Sequence, residues 1–241
     1  MGTEQTILPI DNAGQVIPVL YEDNHLLVVN KPPGLLVQKD NSGDLDLLTV
    51  CKSYLKERYR KPGNVYLGLV HRLDRPVSGT VVLARTSKAA ARLSEQIRLR
   101  TVGKKYIALV EGEVPPQGVW VDNMSRRKSQ SFIDDNGKKA ELRFTRKACS
   151  GGVSLVEIIL VTGRHHQIRL QFAHKGHPLL GDYRYNDRSQ SFGEREIALH
   201  AAVYTCTHPT LKKEMIFKCL PGNAWAEKLT TLLGEGAKNV I

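Results

Sequence analysis

Val65-Tyr66-Leu67-Gly68-Leu69-Val70-His71-Arg72-Leu73-Asp74-Arg75-Pro76-Val77-Ser78-Gly79-Thr80-Val81-Val82-Leu83-Ala84 sets two short apolar runs on either side of a polar connection. Runs of this length and composition, Val65 to Val70 and Thr80 to Ala84, read as strands, which places Asp74 on the connection between them. Connections held by a rigid sheet often carry chemistry. With His71 to Asp74 extended, Arg72 and Asp74 share one face while His71 and Leu73 take the other. Pro76 fixes one backbone angle and Gly79 permits a turn. A carboxylate set between arginines favours its ionised form, which suits a nucleophile or an electrostatic stabiliser better than a general acid. A surface ion-pair cluster has the same composition, and these residues alone leave both readings open.

Upstream, residues 1–17 are polar and punctuated by Gly and Pro, and read as an N-terminal arm. His25 to Asn30 is a strand pattern, and Leu35 to Val37 resumes it after the rigid turn Lys31-Pro32-Pro33-Gly34. Asp44 or Asp46 caps a helix whose apolar face is Leu48, Cys51 and Leu55, ending before Pro62-Gly63. Downstream, Ser87 caps a helix running to about Arg100, with Ala90, Leu93 and Ile97 as its stripe. Lys104 to Gly112 reads as a strand, in which Tyr106 fits ordinary packing. Residues 121–140 are polar, with the basic triplet Arg126-Arg127-Lys128 and a hairpin signal at Asn136-Gly137. The triplet suits phosphate contact and a solvated loop equally. Val153 to Val161 is a strongly apolar strand ending at Thr162-Gly163-Arg164, and His166 to Lys175 follows as a helix pairing Ile168 with Phe172. Free amides at that helix start, with Arg164 and Arg169, make an anion pocket for a phosphate or a protein carboxylate. Gly181 to Tyr185 reads as a loop. Ala198 to Thr205 and Glu214 to Leu220 form a hairpin about His208-Pro209, and residues 222–241 hold a short amphipathic helix and a tail.

Lys and Arg number 35 against 24 Asp and Glu, a net charge of +11, so a polyanion, first of all nucleic acid, is the expected partner. No apolar run approaches the roughly 18 residues of a membrane span, and Met1 to Ile10 lacks a signal-peptide pattern. Cys51, Cys149, Cys206 and Cys219 are too far apart for a structural zinc site, and a reducing cytoplasm suits them. His165, His166, His174 and His177 raise the alternative of a metal hydrolase. No HExxH is present, and Gly176 is expected to end the helix between the last two, so polar or RNA contacts are the expected roles and no metal is assigned. Strands outnumber helices without regular alternation, which predicts an α+β fold with a mixed, mainly antiparallel sheet flanked by helices. The expected organisation is an arm over 1–17, one catalytic domain over 18–232 and a tail over 233–241.

Three separated motifs resemble the RluA-type RNA pseudouridine synthases: His71-Arg72-Leu73-Asp74 with Ser78-Gly79, Lys105-Tyr106-Ile107-Ala108 with Glu111-Gly112, and Gly163-Arg164-His165-His166-Gln167-Ile168-Arg169. Lys31 to Gly34 and Ala198-Leu199-His200-Ala201 resemble further family segments, so the likeness runs in order from about residue 20 to 225. It implies the pseudouridine synthase fold, with a central catalytic cleft. It implies Asp74 as the catalytic carboxylate, Tyr106 stacked on the target uracil and Arg169 paired with Asp74. Arg72 is expected beside the extracted nucleotide, with Arg164, His166, Arg126, Arg127 and Lys128 on RNA. The implied reaction isomerises uridine to pseudouridine within ribosomal or transfer RNA, in a cytoplasmic monomer, with no cofactor or metal. Two departures stand out: His165 occupies a position where many members carry Thr, and the roughly twenty residues before the match are too few for the S4 domain many members carry. A non-catalytic RNA-binding protein is the competing reading of the charge.

Overall fold

The computed structural model describes residues 6–9, 16–187 and 192–233. Two compact units emerge, one of residues 1–102 with 203–219, the other of residues 103–202 with 220–241.

In the first unit, β1 (Ile7–Pro9), β2 (Val16–Glu22) and β3 (Leu26–Lys31) are antiparallel neighbours, so the segment expected only as an arm contributes an edge strand. After α1 (Leu47–Arg58) come β4 (Gly68–Leu69), β5 (Ser78–Ala84) and α2 (Ser87–Arg98). β5 pairs antiparallel with β3, from Leu26 opposite Ala84 to Lys31 opposite Gly79, and β4 also pairs with it. All seven β5 residues are buried, as a continuous Thr-Val-Val-Leu-Ala run demands. Asp46 caps α1 by accepting from the Thr49 amide at 3.1 Å, and its buried stripe is Leu47, Cys51 and Leu55. The stripe thus starts one residue before the expected Leu48. Burial at Cys51 pushes its thiol up to about 12, so it is inert packing material. Leu35 and Val37 are buried but form no strand. Instead the carbonyls of Leu36 and Val37 accept from the Leu47 and Leu48 amides, orphan donors at the start of α1, and a parallel bridge joins Leu36 to Asp46. Thr86, one residue before the expected cap, opens α2.

The second unit is built on β6 (Gly103–Glu111), β7 (Gln117–Arg127), β8 (Gln130–Ile133), β9 (Lys138–Ser150) and β10 (Val153–Leu160), in the order β6-β10-β9-β7-β8 with antiparallel pairs, and on α3 (Gln167–His174). Trp120, Phe144 and Phe172 interlock at 4.4 to 5.9 Å between ring centres, fixing α3 to one face of this sheet. Residues 121–140, read as a polar stretch with one hairpin, are mostly strand, and Arg126, Arg127 and Lys128 lie at the β7–β8 turn. Asn136-Gly137 does turn the chain, but the strands it joins flank β7 on opposite sides and do not pair with each other. The turn wraps so closely over β7 that a Cβ on Gly137 would lie 2.5 Å from the Met124 carbonyl carbon.

Strand β11 (Leu199–Thr207) begins among the second unit's residues and ends among the first's. There it pairs with β12 (Glu214–Lys218), the expected hairpin. Tyr204 and Cys206 on β11 and Phe217 on β12 complete a core with Leu26, Val28, Val82, Ala84, Ala89 and Leu93. α4 (Asn223–Leu233) buries Trp225 and Leu229, while residues 234–241 of the expected tail lie outside the described residues. The α+β class with a mixed, mainly antiparallel sheet is therefore the observed one.

Candidate active site

Asp74 opens a turn closed by the Val77 amide, which donates to the Asp74 carbonyl at 3.1 Å. Residues 71–74 form no ladder, and Arg72 is exposed while Asp74 is half-buried. The Lys31-Pro32-Pro33-Gly34 segment grips the next residue from several directions. The Arg75 carbonyl accepts from the Gly34 amide at 2.9 Å, and the Arg75 Nε donates to the Gly34 carbonyl at 2.9 Å. Lys31, fully buried, sends its ammonium to the carbonyls of Pro32, Leu35 and Arg75 at 2.8, 2.9 and 3.1 Å. A buried cation is tolerable only with such acceptors, and here it pins two loops together. Arg75 also pairs with Asp44 at 2.7 Å, so the guanidinium directly after Asp74 turns to the connection that precedes α1. On the other side, His71 continues the short β4 by side chain. Its Nε2 accepts from the Val82 amide at 2.9 Å, so the proton of the neutral ring sits on Nδ1, and the ring stacks on Tyr204 at 4.6 Å. Asp74 thus rises from a backbone fastened both before and after it.

In the second unit, Tyr106 is buried on β6 opposite Ile158. Lys105 faces the other way and pairs with Glu157 at 3.1 Å. Lys104, two residues before Tyr106 and on its face, lies beside the entry to α3: a Cβ on Gly163 would sit 3.8 Å from its ammonium. Burial holds the Lys104 amine below its ordinary pKa.

That entry is organised by Gln167, whose carbonyl oxygen accepts from the Arg164 amide at 3.0 Å and the Thr162 hydroxyl at 2.8 Å. A protein side chain thereby takes one of the amides that the sequence offered to an anion. Arg164 turns its Nε to the Lys139 carbonyl at 2.9 Å. His166, at the N-cap, has φ 53°, a left-handed conformation costing a non-glycine residue about 1–2 kcal/mol. It is held by its Nδ1 contact with the Tyr185 hydroxyl at 2.8 Å and by stacking on His165 at 3.7 Å. Arg169 is 5% exposed and grips Asp182, 1% exposed, through two parallel hydrogen bonds of 2.7 Å, with the Tyr185 ring 5.4 Å from its guanidinium carbon. Burial raises the Tyr185 phenol above its ordinary value against the pull of Arg169, so it stays protonated. Gly181 sets up Asp182: its φ is +79° and a Cβ there would lie 2.7 Å from the Glu196 carbonyl oxygen.

Of the residues expected at the site, Asp74 and Arg72 therefore belong to the first unit. The structure gathers Arg169 and His166 around Tyr185 in the second, where Tyr106 lies on β6 and Arg126, Arg127 and Lys128 are exposed at the β7–β8 turn. Asp182 and Tyr185 were not expected in it; the glycine before Asp182 was their only local signal. The histidines after His166 go elsewhere, His174 to the last turn of α3 and His177 to the Glu111 carbonyl at 3.1 Å. Among the described residues no group of three or more His, Cys, Asp or Glu could hold a metal ion, and no helix is long and apolar enough to cross a membrane.

The profile of the RNA pseudouridylate synthase family matches residues 25–174, a span that includes Asp74, Tyr106 and Arg169. The chain belongs to this family. Among curated members, it is 36% identical over 211 residues to ribosomal large subunit pseudouridine synthase C of Buchnera aphidicola subsp. Schizaphis graminum, covering 82% of this chain and 65% of that one. It is 35% identical over 229 residues to ribosomal large subunit pseudouridine synthase D of Zymomonas mobilis, covering 87% and 71%. These are RluA-type pseudouridine synthases, of which the chain spans about two thirds of the length. Human RNA pseudouridylate synthase domain containing 4 superposes with a TM-score of 0.73 at 25% identity, covering 88% of this chain and 91% of that one. The pseudouridylate synthase profile ends at residue 174, so Asp182 lies beyond it.

Proposed function

We propose that this chain is an RNA pseudouridine synthase that isomerises uridines in structured RNA, ribosomal or transfer, with Asp74 as the nucleophile. The observation that carries the reading is the turn at Asp74: an acid on a family motif, set on backbone tied through Arg75 to the Lys31–Gly34 loop and through His71 to β5. A nucleophile must be held in place, and surface ion pairs have no need of a scaffold buried beneath them. In this reading the glycosidic bond breaks, the uracil turns, its carbon 5 joins the ribose and the proton on that carbon leaves. Arg169 pairs with Asp74 and Tyr106 stacks on the extracted base, an interaction worth about 1–3 kcal/mol per base. Arg72, Arg164, His166 and the Arg126-Arg127-Lys128 turn contact RNA. The enzyme works in the cytoplasm as a monomer and without a cofactor. The names of the relatives favour ribosomal RNA of the large subunit.

The test is tritium release from RNA carrying uridine labelled at carbon 5. The protein should release tritium, and Asp74→Asn should abolish release with an unchanged circular dichroism spectrum. A fully active Asp74→Asn protein removes Asp74 from the chemistry, and salt-sensitive RNA binding without any release makes the chain a binding protein.

A further inference from the structure

Ser131 joins β8 to the start of α3 through its hydroxyl and to Tyr185 through its backbone amide, which donates to the phenol oxygen. Ser131 is 3% exposed on β8, and its Oγ donates to the His165 carbonyl at 2.8 Å. A hydroxyl has one proton to give, so the contact of 2.9 Å between the same oxygen and His165 Nδ1 runs the other way, with Nδ1–H donating. The imidazole is thereby fixed in tautomer and orientation, and its face lies on His166 with 22° between the planes. His166 then meets the Tyr185 hydroxyl, whose ring lies against Arg169. A second tie runs back from the loop that holds Asp182: Arg184 donates to the Ser129 carbonyl at 3.1 Å, at the turn that presents Arg126, Arg127 and Lys128. A turn that served only as an adhesive for phosphates would need neither connection.

We propose that Ser131 and His165 form a positioning latch through which RNA seated on the basic β7–β8 turn sets the orientation of Arg169. The latch rests on the function proposed above. Ser131 and His165 are positioning residues: they act on Arg169 through His166 and Tyr185. Phosphates drawn to the turn fix β8, β8 fixes the His165 ring, and the stacked histidines hold Tyr185 against the guanidinium. Charges on the turn then contribute to turnover as well as to binding.

The experiment is a double-mutant cycle on the full chain, using a transcript of large-subunit ribosomal RNA labelled with carbon-5-tritiated uridine. Ser131→Ala should lower kcat about tenfold, the value of one hydrogen bond, with KM changed less than about twofold, and Ser131→Thr should restore it. Arg127→Ala/Lys128→Ala should raise KM and lower kcat, and combining it with Ser131→Ala should lower kcat no further than Ser131→Ala alone. Effects on kcat that multiply, or a Ser131→Ala protein with unchanged kcat, overturn the latch. If Ser131→Ala does not fold, His165→Phe takes its place, because it keeps the stack and loses the Nδ1–H donor. Absence of tritium release from the wild-type protein instead refutes the proposed function. The latch is then judged by amide exchange with the same transcript: protection of residues 164–169 that Ser131→Ala abolishes upholds it, and equal protection in both proteins overturns it.

Discussion

Replacing Asp182 by Asn removes one charge from a buried pair while keeping its shape. Arg169 and Asp182 are both at least nine-tenths buried and share two hydrogen bonds of 2.7 Å. An asparagine offers one oxygen and one NH2 group to two donors, so one of the hydrogen bonds is lost to a donor–donor contact and the guanidinium loses the charge of Asp182. Breaking a buried pair from one side costs about 3–5 kcal/mol, whereas replacing both members by apolar groups is often close to neutral. With a urea slope near the upper end of about 1–3 kcal/mol/M for a chain of this length, the unfolding midpoint should fall by about 1–2 M. Urea titration followed by far-ultraviolet circular dichroism reads that shift. The partner variant Asp182→Asn/Arg169→Met should recover at least about 1 kcal/mol of the loss, since it removes the buried charge whose two hydrogen bonds to Asp182 the single variant disrupts. A single variant that loses less than about 1 kcal/mol, or a double variant that loses the sum of two single ones, refutes Asp182 as the anchor of Arg169.

Other outcomes follow from the same geometry. Arg126→Ala, Arg127→Ala and Lys128→Ala together should flatten the dependence of RNA affinity on salt by about 0.7 per lost phosphate contact on a single strand and up to about 0.9, the B-form duplex value, on a stem, read by fluorescence anisotropy between about 50 and 200 mM salt; an unchanged slope removes the turn from the RNA interface. Asp23 is pushed up by burial, but hydrogen bonds from the His25 and Leu26 amides and from His208 outweigh that and leave its carboxyl below the ordinary value. Its stabilisation is therefore present above the unfolded carboxylate pKa of about 3.9 and is lost as pH falls through the lower folded value. Asp23→Asn should cost about 1–3 kcal/mol near pH 7 because His208, fully buried, keeps an Nε2–H donor with a poorer acceptor. The gap to wild type should close on acidification below that folded value; a gap independent of pH refutes the carboxylate's part in it.

The helices were legible because their ends and stripes are local, Asp46 before Leu47 and Gly176 after α3 among them, although the cap of α2 fell on Thr86 and not on Ser87. The polar face of β7 to β9 hid three strands. On β9 the buried Ala140, Leu142 and Phe144 alternate with Lys139, Glu141 and Arg143, a period-2 pattern that the charged residues of the stretch, Lys139 and Glu141 among them paired within the strand, obscure. Leu35 to Val37 misled in the opposite sense, since apolar residues are buried there to meet the start of α1. At the site, motif residues could be recognised one segment at a time. What fixes them could not: Lys31 reaches Arg75 across 44 positions, Ser131 reaches His165 across 34, and Asp182 reaches Arg169 from a loop 13 residues on. Such pairings are set by tertiary packing, on which local periodicity is silent.

The passage of β11 from one unit's residues to the other's governs the order in which the protein can be made. The first unit's core needs Tyr204, Cys206 and Phe217, yet the ribosome must deliver the hundred residues 103–202 before any of them. At about 5–20 residues per second, that is a wait of about 5–20 s during which Val82, Leu26 and Leu93 have an unfinished core. In the second unit the β7–β8 and β9–β10 hairpins can close meanwhile through short connections, so it is the later-encoded unit that has local pairing available while the first unit waits. Nascent chains stalled just before Val203 should hold ordered β7–β8 and β9–β10 hairpins beside a protease-sensitive amino-terminal segment.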